Sequence, residues 1–390
     1  MNDAVILGAA DNIWQLVSNF AAVVLGLIIC LSFRKKFGLS VTQVCAYFAW
    51  HTITCILFFY FAMSNVSDSE LYYTESFILK DGFELGTQFV IYFTSIFSRG
   101  LGMSYLGVFL IFNTIGAIGV LAFAGALKEL SIDKKVWVGR LAVFLPFLPG
   151  LNFWSSGIGK DAITFAGAGI ISWAILKFDK RYTVAIFGVA CFLFARPHIA
   201  GLLLAGFAAS IIIIWHTNIL KKLLVSAIIL PISVSGLYFG AEYSGLGSGA
   251  NVAVLQEYVG DRQGQNLDGG SSFDLTSMGL SNKLFAYAFR PTILQASGPL
   301  AMIASIENLI VLLLLCFAVL KFFLNQRRAH RFAVFFIVTF GFSCWFVLAI
   351  TTANIGIALR QKWMFLAFLI PLAFLYAPRR NFDLPRMPEK

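Results

Sequence analysis

An all-α, polytopic integral membrane protein is the fold class this sequence predicts, and three observations carry the prediction. Of its 390 residues, 59% are hydrophobic and 12% charged, with a mean hydropathy of +0.83, whereas a soluble domain carries about 25% charged residues. Apolar runs of roughly 17 to 25 residues, the length that crosses a hydrocarbon core of about 30 Å, recur along the chain. Lysine and arginine collect in alternate connections between those runs, the pattern that orients a membrane protein.

In chain order the predicted spans are 13–33, 41–63, 103–127, 136–153, 161–176, 182–195, 199–216, 223–240, 300–324, 332–351 and 362–377, about eleven in all. The fifth, sixth and last are short enough to tilt, break or re-enter. Placing the N-terminus outside puts six basic groups inside. They are Arg34-Lys35-Lys36, Lys128 with Lys134, Lys135 and Arg140, Lys177 with Lys180 and Arg181, Lys221-Lys222, Lys321 with Arg327, Arg328 and Arg331, and the tail's Arg379, Arg380, Arg386 and Lys390. These are 20 of the 29 basic residues, so the predicted topology is N-out, C-in and the number of spans is odd. Residues 1–390 read as a single transmembrane domain, without an internal repeat or a separate soluble unit. Met1 to Asn12 lacks a basic stretch before the first apolar run, so no cleavable signal peptide is expected.

The net charge of +10 speaks for membrane orientation rather than nucleic acid, because the cations punctuate apolar runs instead of forming a patch. The six cysteines fall inside apolar stretches with no CxxC spacing and read as small hydrophobes. His51, His216 and His330 read as residues near helix ends without metal-ligand spacing, so no zinc site and no cofactor are expected.

Two segments break the short-loop pattern, and both fall on the predicted outer side. Residues 64–102 begin acidic and continue into an apolar stretch too short to span, Phe89 to Phe97, which suits a helix lying in the interface. Residues 241–299 are rich in Gly, Ser, Asn and Asp and carry Glu257, Asp261, Arg262, Lys283 and Arg290. A connection of that length is either functional or disordered.

A charge at the outer end of a span is costly in lipid and faces a cavity or a partner. Four such clusters stand out. Asp68, Glu70 and Glu75, with Tyr72 and Tyr73 between them, read either as a general base and a divalent-metal or phosphate platform, or as a solvated loop. Phe153-Trp154-Ser155-Ser156-Gly157-Ile158-Gly159-Lys160-Asp161 follows Pro146 and Pro149. It offers backbone N–H groups to an anion beside Lys160, or is a plain tight turn; its spacing is not that of a Walker A loop. In Ala195-Arg196-Pro197-His198 the guanidinium suits bidentate phosphate binding, and His198 is catalytic or simply hydrogen-bonded. Arg360 and Lys362 lie against the positive-inside bias; they read as anion ligands or as cations snorkelling to headgroups. Together, outer cations Lys160, Arg196, Arg290 and Arg360 and an outer acidic loop are what glycosyl transfer from a polyprenyl-(pyro)phosphate donor needs, since positive charge stabilises the departing phosphate.

The motifs Asp68-Ser-Glu70-Leu-Tyr72-Tyr73, Trp154-Ser-Ser-Gly-Ile-Gly-Lys160-Asp161, Ala195-Arg196-Pro-His198 and Asn354-x-Gly356-x-x-x-Arg360-Gln resemble those of the EpsG-like and Wzy-type polymerases of bacterial exopolysaccharide, capsule and O-antigen clusters. These are in turn similar to the GT-C class of membrane glycosyltransferases. The resemblance implies a GT-C-like fold with 89–100 as an interface helix and a catalytic carboxylate at Asp68 or Glu70. It further implies that Lys160, Arg196, His198, Arg290 and Arg360 hold a diphosphate and that Tyr72, Tyr73 and Trp154 stack on sugars. The R-x10-G pattern of some Wzy-type outer loops does not follow Arg262 or Arg290. The implied enzyme polymerises polyprenyl-pyrophosphate-linked repeat units at the outer face of the bacterial cytoplasmic membrane, without a cofactor, and other polysaccharide-assembly membrane proteins are its candidate partners. A transferase using a polyprenyl-monophosphate sugar, a lipid-linked oligosaccharide flippase and a non-catalytic scaffold are the rival readings.

Overall fold

The computed structural model describes residues 7–78, 83–243, 278–324, 330–352 and 354–380. Sixteen α-helices occur among them. They are α1 (Ile13–Phe33), α2 (Val41–Ser64), α3 (Asp68–Glu75), α4 (Thr87–Ser98), α5 (Tyr105–Ser131), α6 (Val136–Phe144), α7 (Pro149–Ser155) and α8 (Lys160–Ala174), followed by α9 (Phe178–Ala195), α10 (Pro197–Ile213), α11 (Ile219–Tyr243), α12 (Leu280–Phe289), α13 (Pro299–Leu324), α14 (Arg331–Thr351), α15 (Ile355–Gln361) and α16 (Trp363–Leu375). Several begin with a polar cap that satisfies a first-turn N–H. Asn12 accepts from the Gln15 N–H at 2.9 Å, Ser40 and Gln43 form a reciprocal capping box, and Ser104 accepts from the Gly107 N–H at 3.0 Å.

Seven helical runs among the described residues are long and apolar enough to cross a membrane, and eight with the bent pair α15 and α16. The chain is a helical multi-pass membrane protein. One of the seven, Lys160–Ala195, is folded back on itself. Its backbone leaves the helical region at Lys177 (φ −137°, ψ 57°), and a Cβ on Gly167 would lie 2.6 Å from the Gly188 carbonyl oxygen. In a straight helix those residues would stand about 30 Å apart, so α8 and α9 are the two arms of a hairpin. Most of the sequence 64–102 folds as the short helices α3 and α4. The predicted long loop 241–299 contributes α12 but lies largely outside the described residues, as do Glu257, Asp261, Arg262, Arg327, Arg328, Arg386 and Lys390.

The bundle is organised around α5, which is buried along almost its whole length. Close approach there depends on missing side chains: a Cβ on Gly169 would meet the Gly119 carbonyl oxygen at 2.1 Å. In lipid, where no hydrophobic gain separates one apolar neighbour from another, such small-residue contacts are what hold helices together. The outermost helices expose apolar rows instead, as α1 does with Ile13, Leu16 and Phe20.

Charge sorts the two ends of the bundle. At one end Glu129 meets Lys177 (2.9 Å) and Arg181 (2.8 Å), Lys128 donates to Gln43 (3.0 Å), and Asp133 pairs with Arg379 (2.6 Å). An isolated antiparallel bridge, Lys134 to Arg379, ties the connection before α6 to the C-terminal segment. The predicted outer motifs converge at the opposite end, one length of α8 away.

Between the ends lies an ionic group that the sequence reading did not anticipate. Lys362, at the 54° break between α15 and α16, is 1% exposed and sits 3.9 Å from Glu307, which is 2% exposed. Its ammonium also donates to Asn308, whose amide donates to the Pro291 carbonyl (3.0 Å), while Glu307 accepts from the Gly150 N–H (2.6 Å) at the start of α7. Lys362 therefore does not snorkel to headgroups; its charge is held inside the bundle. His51 is likewise not near a helix end. It lies midway along α2, fully buried, with Nδ1 3.1 Å from the Asn152 side-chain oxygen.

Removing one partner of a buried ion pair leaves the other uncompensated, at a cost of about 3–5 kcal/mol. Lys362→Met is therefore expected to lower the unfolding midpoint in detergent sharply, and adding Glu307→Gln to recover most of the loss. A double variant no more stable than Lys362→Met would contradict the pairing.

Candidate functional site

Four helix ends supply the site, and each is fixed by its local sequence. Pro197 has no N–H and keeps the preceding residue out of the helical region. Arg196 accordingly breaks α9 from α10 (φ −145°, ψ 74°), with its own N–H still bonded to the Phe192 carbonyl at 2.7 Å. Asp161 occupies the first turn of α8 and Asp68 that of α3, where the helix dipole favours a negative charge. Asn354 caps α15 by accepting from the Ile357 N–H at 3.2 Å, which sets the short helix carrying Arg360.

These ends meet in an alternating chain of charge. Arg196 donates from Nη2 to Asp161 Oδ1 at 2.7 Å. Arg360 donates from Nε to Asp161 Oδ2 at 3.0 Å and from Nη2 to Asp68 Oδ2 at 2.7 Å. Asp161 thus spends one oxygen on each arginine, and the four charges sum to zero. Exposure grades along the chain, with side chains of Arg196 and Asp161 9% and 10% exposed, Arg360 24% and Asp68 54%. The inner bonds join desolvated partners, whereas the outermost pair has one partner in water, where such a contact is worth about 0–1 kcal/mol. The Asp68 to Arg360 bond is therefore the least costly of the three to break.

A cavity of about 200 Å³ lies beside that bond, lined by Asp68, Arg360, Asp161, Trp154, the Gly157–Gly159 turn and Asn354. The Arg360 guanidinium also stands 5.7 Å from the centre of the Trp154 ring, within cation–π reach. The cavity therefore offers a carboxylate, a guanidinium and an indole face to a molecule entering from the polar end.

The predicted residues divide on this geometry. Asp68, Trp154 and Arg360 line the cavity and Arg196 stands behind it. Tyr72 is 4% exposed and outside the lining, so it is not placed to stack on a sugar; it is buried next to the charge chain, and burial, with the Asp68 charge adding, raises its hydroxyl far above the usual tyrosine range. Glu70 is not among the lining residues and its field falls on Tyr105. Tyr73 is not placed to stack on a sugar either, because it is 3% exposed, packs on Tyr105 and donates to the Met103 carbonyl at 3.0 Å. Lys160, His198 and Arg290 are each half-buried and outside the lining. Arg290 caps α12, next to the Pro291 carbonyl that binds Asn308.

Asp161 is the residue that sequence reasoning passed over as a neighbour of Lys160. The signal was present, since a carboxylate opening an apolar run needs a cationic partner. The same signal marks Glu307, the acid inside the run 300–324. Among the described residues no three His, Cys, Asp or Glu side chains group as metal ligands. No family model, curated protein or solved structure matches the chain.

Asp161→Asn would leave two guanidiniums facing each other, one of them buried, and is expected to cost about 3–5 kcal/mol of stability. Asp68→Asn should cost less than about 1 kcal/mol. Thermal unfolding of the two purified variants in the same detergent checks the order, and equal losses would contradict the graded chain.

Proposed function

We propose that the chain is a glycosyltransferase that polymerises polyprenyl-pyrophosphate-linked repeat units, with the Asp68 and Arg360 pair as its reactive centre. The observation that carries this reading is their 2.7 Å contact at the cavity, between residues 292 positions apart in sequence. A donor diphosphate competes with Asp68 for Arg360, because both are anions and a guanidinium binds phosphate in the same fork geometry. Binding the donor therefore releases the carboxylate. Asp68 then accepts the proton of the acceptor sugar's hydroxyl while that oxygen bonds to the donor's anomeric carbon. The bond from that carbon to the diphosphate oxygen breaks, and the diphosphate leaves with the electron pair, stabilised by Arg360. Trp154 offers a face for a sugar ring, and Asp161 with Arg196 keeps Arg360 aimed at the cavity throughout.

The positive-inside pattern supports placing the site on the outer face of a bacterial cytoplasmic membrane, reached by eleven crossings with the N-terminus outside. Activated donors on that face come already attached to lipid, so the reading requires no nucleotide-sugar pocket. The same centre serves a polyprenyl-monophosphate donor, and the GT-C resemblance of the first outer loop is compatible with either. A second reading is favoured by a specific feature: a buried Lys362 and Glu307 pair at a helix break is the kind of element transporters place within the membrane. On that reading the protein flips lipid-linked oligosaccharide.

Replacing Asp68 by Asn and Arg360 by Gln in the native host separates the readings. Polymerisation predicts loss of long glycan with single lipid-linked repeats accumulating on the outer leaflet, a fall of about 100-fold or more for a missing base. Accumulation on the inner leaflet would support the flippase, and unchanged glycan from both variants would sink the proposed centre.

A further inference from the structure

The basic end of the bundle carries an open surface hollow of about 500 Å³, lined by Lys135, Val136, Trp137, Arg140 and Arg380. We propose that it binds the headgroup of an anionic phospholipid, a site independent of the chemistry at the polar end.

Three observations carry the assignment. The first is charge without compensation. Asp133, the nearby acid, is already taken by Arg379 at 2.6 Å and Lys134 at 3.7 Å. No described acid lies within ion-pair distance of Lys135, Arg140 or Arg380, all three exposed. The second is that the rim is built by the backbone. The Lys135 N–H donates to the Pro378 carbonyl at 3.2 Å and the Arg380 N–H to the Asp133 carbonyl at 2.9 Å. Together with the Lys134 to Arg379 bridge, these bonds hold cations from two distant segments around one hollow. The third is where the hollow leads. Val136, Arg140, Val143 and Phe144 fall at helical spacing on one face of α6, and Val136, Trp137, Val143 and Phe144 are exposed.

A phosphate-bearing headgroup meets the three cations, and its acyl chains continue along the apolar face of α6 into the bilayer. Trp137, packed edge-on against Phe317 of α13 at 5.8 Å, stands at the boundary where tryptophan prefers to lie. A free phosphate or a nucleic acid would use the cations and leave the apolar face uncovered. Basic pockets between helices at a membrane surface are general acceptors of anionic lipid headgroups.

The full-length protein is purified in detergent, titrated with dioleoylphosphatidylglycerol, and examined by native mass spectrometry for retained lipid. Expected is one tightly retained phosphatidylglycerol, with retention at least tenfold weaker in R140Q/R380Q and unchanged in K35Q/K36Q, which removes two other exposed cations of the same end. V136E provides a second variant, because an acid in the first turn of α6 suits the helix dipole yet repels the lipid phosphate from the rim. It too should lose retention. Dioleoylphosphatidylcholine and glycerol 3-phosphate should not be retained; the second probe separates a lipid from a free phosphate. Full retention in both R140Q/R380Q and V136E, equal loss in K35Q/K36Q, or equally tight glycerol 3-phosphate would overturn the proposal.

Discussion

The contact on which the polar end depends is the one Asp161 makes with two arginines at once. Its oxygens receive Arg196 at 2.7 Å and Arg360 at 3.0 Å, drawing together the start of α8, the break between α9 and α10, and the short helix α15. Close glycine contacts already pack α8 against α9, but apolar packing does not select among neighbours in a bilayer where all are apolar. A buried carboxylate with two guanidiniums supplies the specificity that hydrophobic contact lacks. It also aims Arg360 outward, so that the guanidinium reaches Asp68 and the cavity instead of folding back into the bundle.

Arg360 and Lys362 show how one short stretch can serve two purposes. Lys362 stands at a 54° break, and Arg360 lies two residues before it. Arg360 turns toward the polar cavity, and Lys362 turns inward to Glu307 and Asn308. The inner pair ties α13 and α7 to the break, since Glu307 also receives the Gly150 N–H. As α7 ends at Ser155, just beyond Trp154, the buried pair helps set the distance between the indole and the guanidinium across the cavity. The ionic groups at the break are thus arranged in depth, with the outer one open to exchange and the inner one closed.

The helical segments were legible in the sequence because length and apolarity decide them: each of the eleven stretches read as spans is helical over most of its length. Pro197 likewise announced the break at Arg196, and the Gly-rich turn before Lys160 announced the end of α7. Partners were not legible. Arg196 and Arg360 read as phosphate ligands, yet both are bonded first to Asp161, a residue 35 positions from one and 199 from the other. Tyr73 read as a sugar platform from its place beside Tyr72, but on a helix adjacent residues face different ways, and the one turns to the charge chain while the other turns to Met103. Lys362 read as an outer cation because sequence gives no sign that a helix break folds its side chain inward. A charge in an apolar run states that it needs a partner without stating which.

The proposed coupling of donor binding to the release of Asp68 is best tested by the structure of the protein with farnesyl pyrophosphate bound. The expected result is a phosphate oxygen within hydrogen-bond distance of Arg360 in the position that Asp68 now holds, Asp68 free, and both bonds to Asp161 intact. A phosphate bound elsewhere with the Asp68 to Arg360 contact unbroken, or an Arg360 that has left Asp161 to follow the ligand, would contradict it.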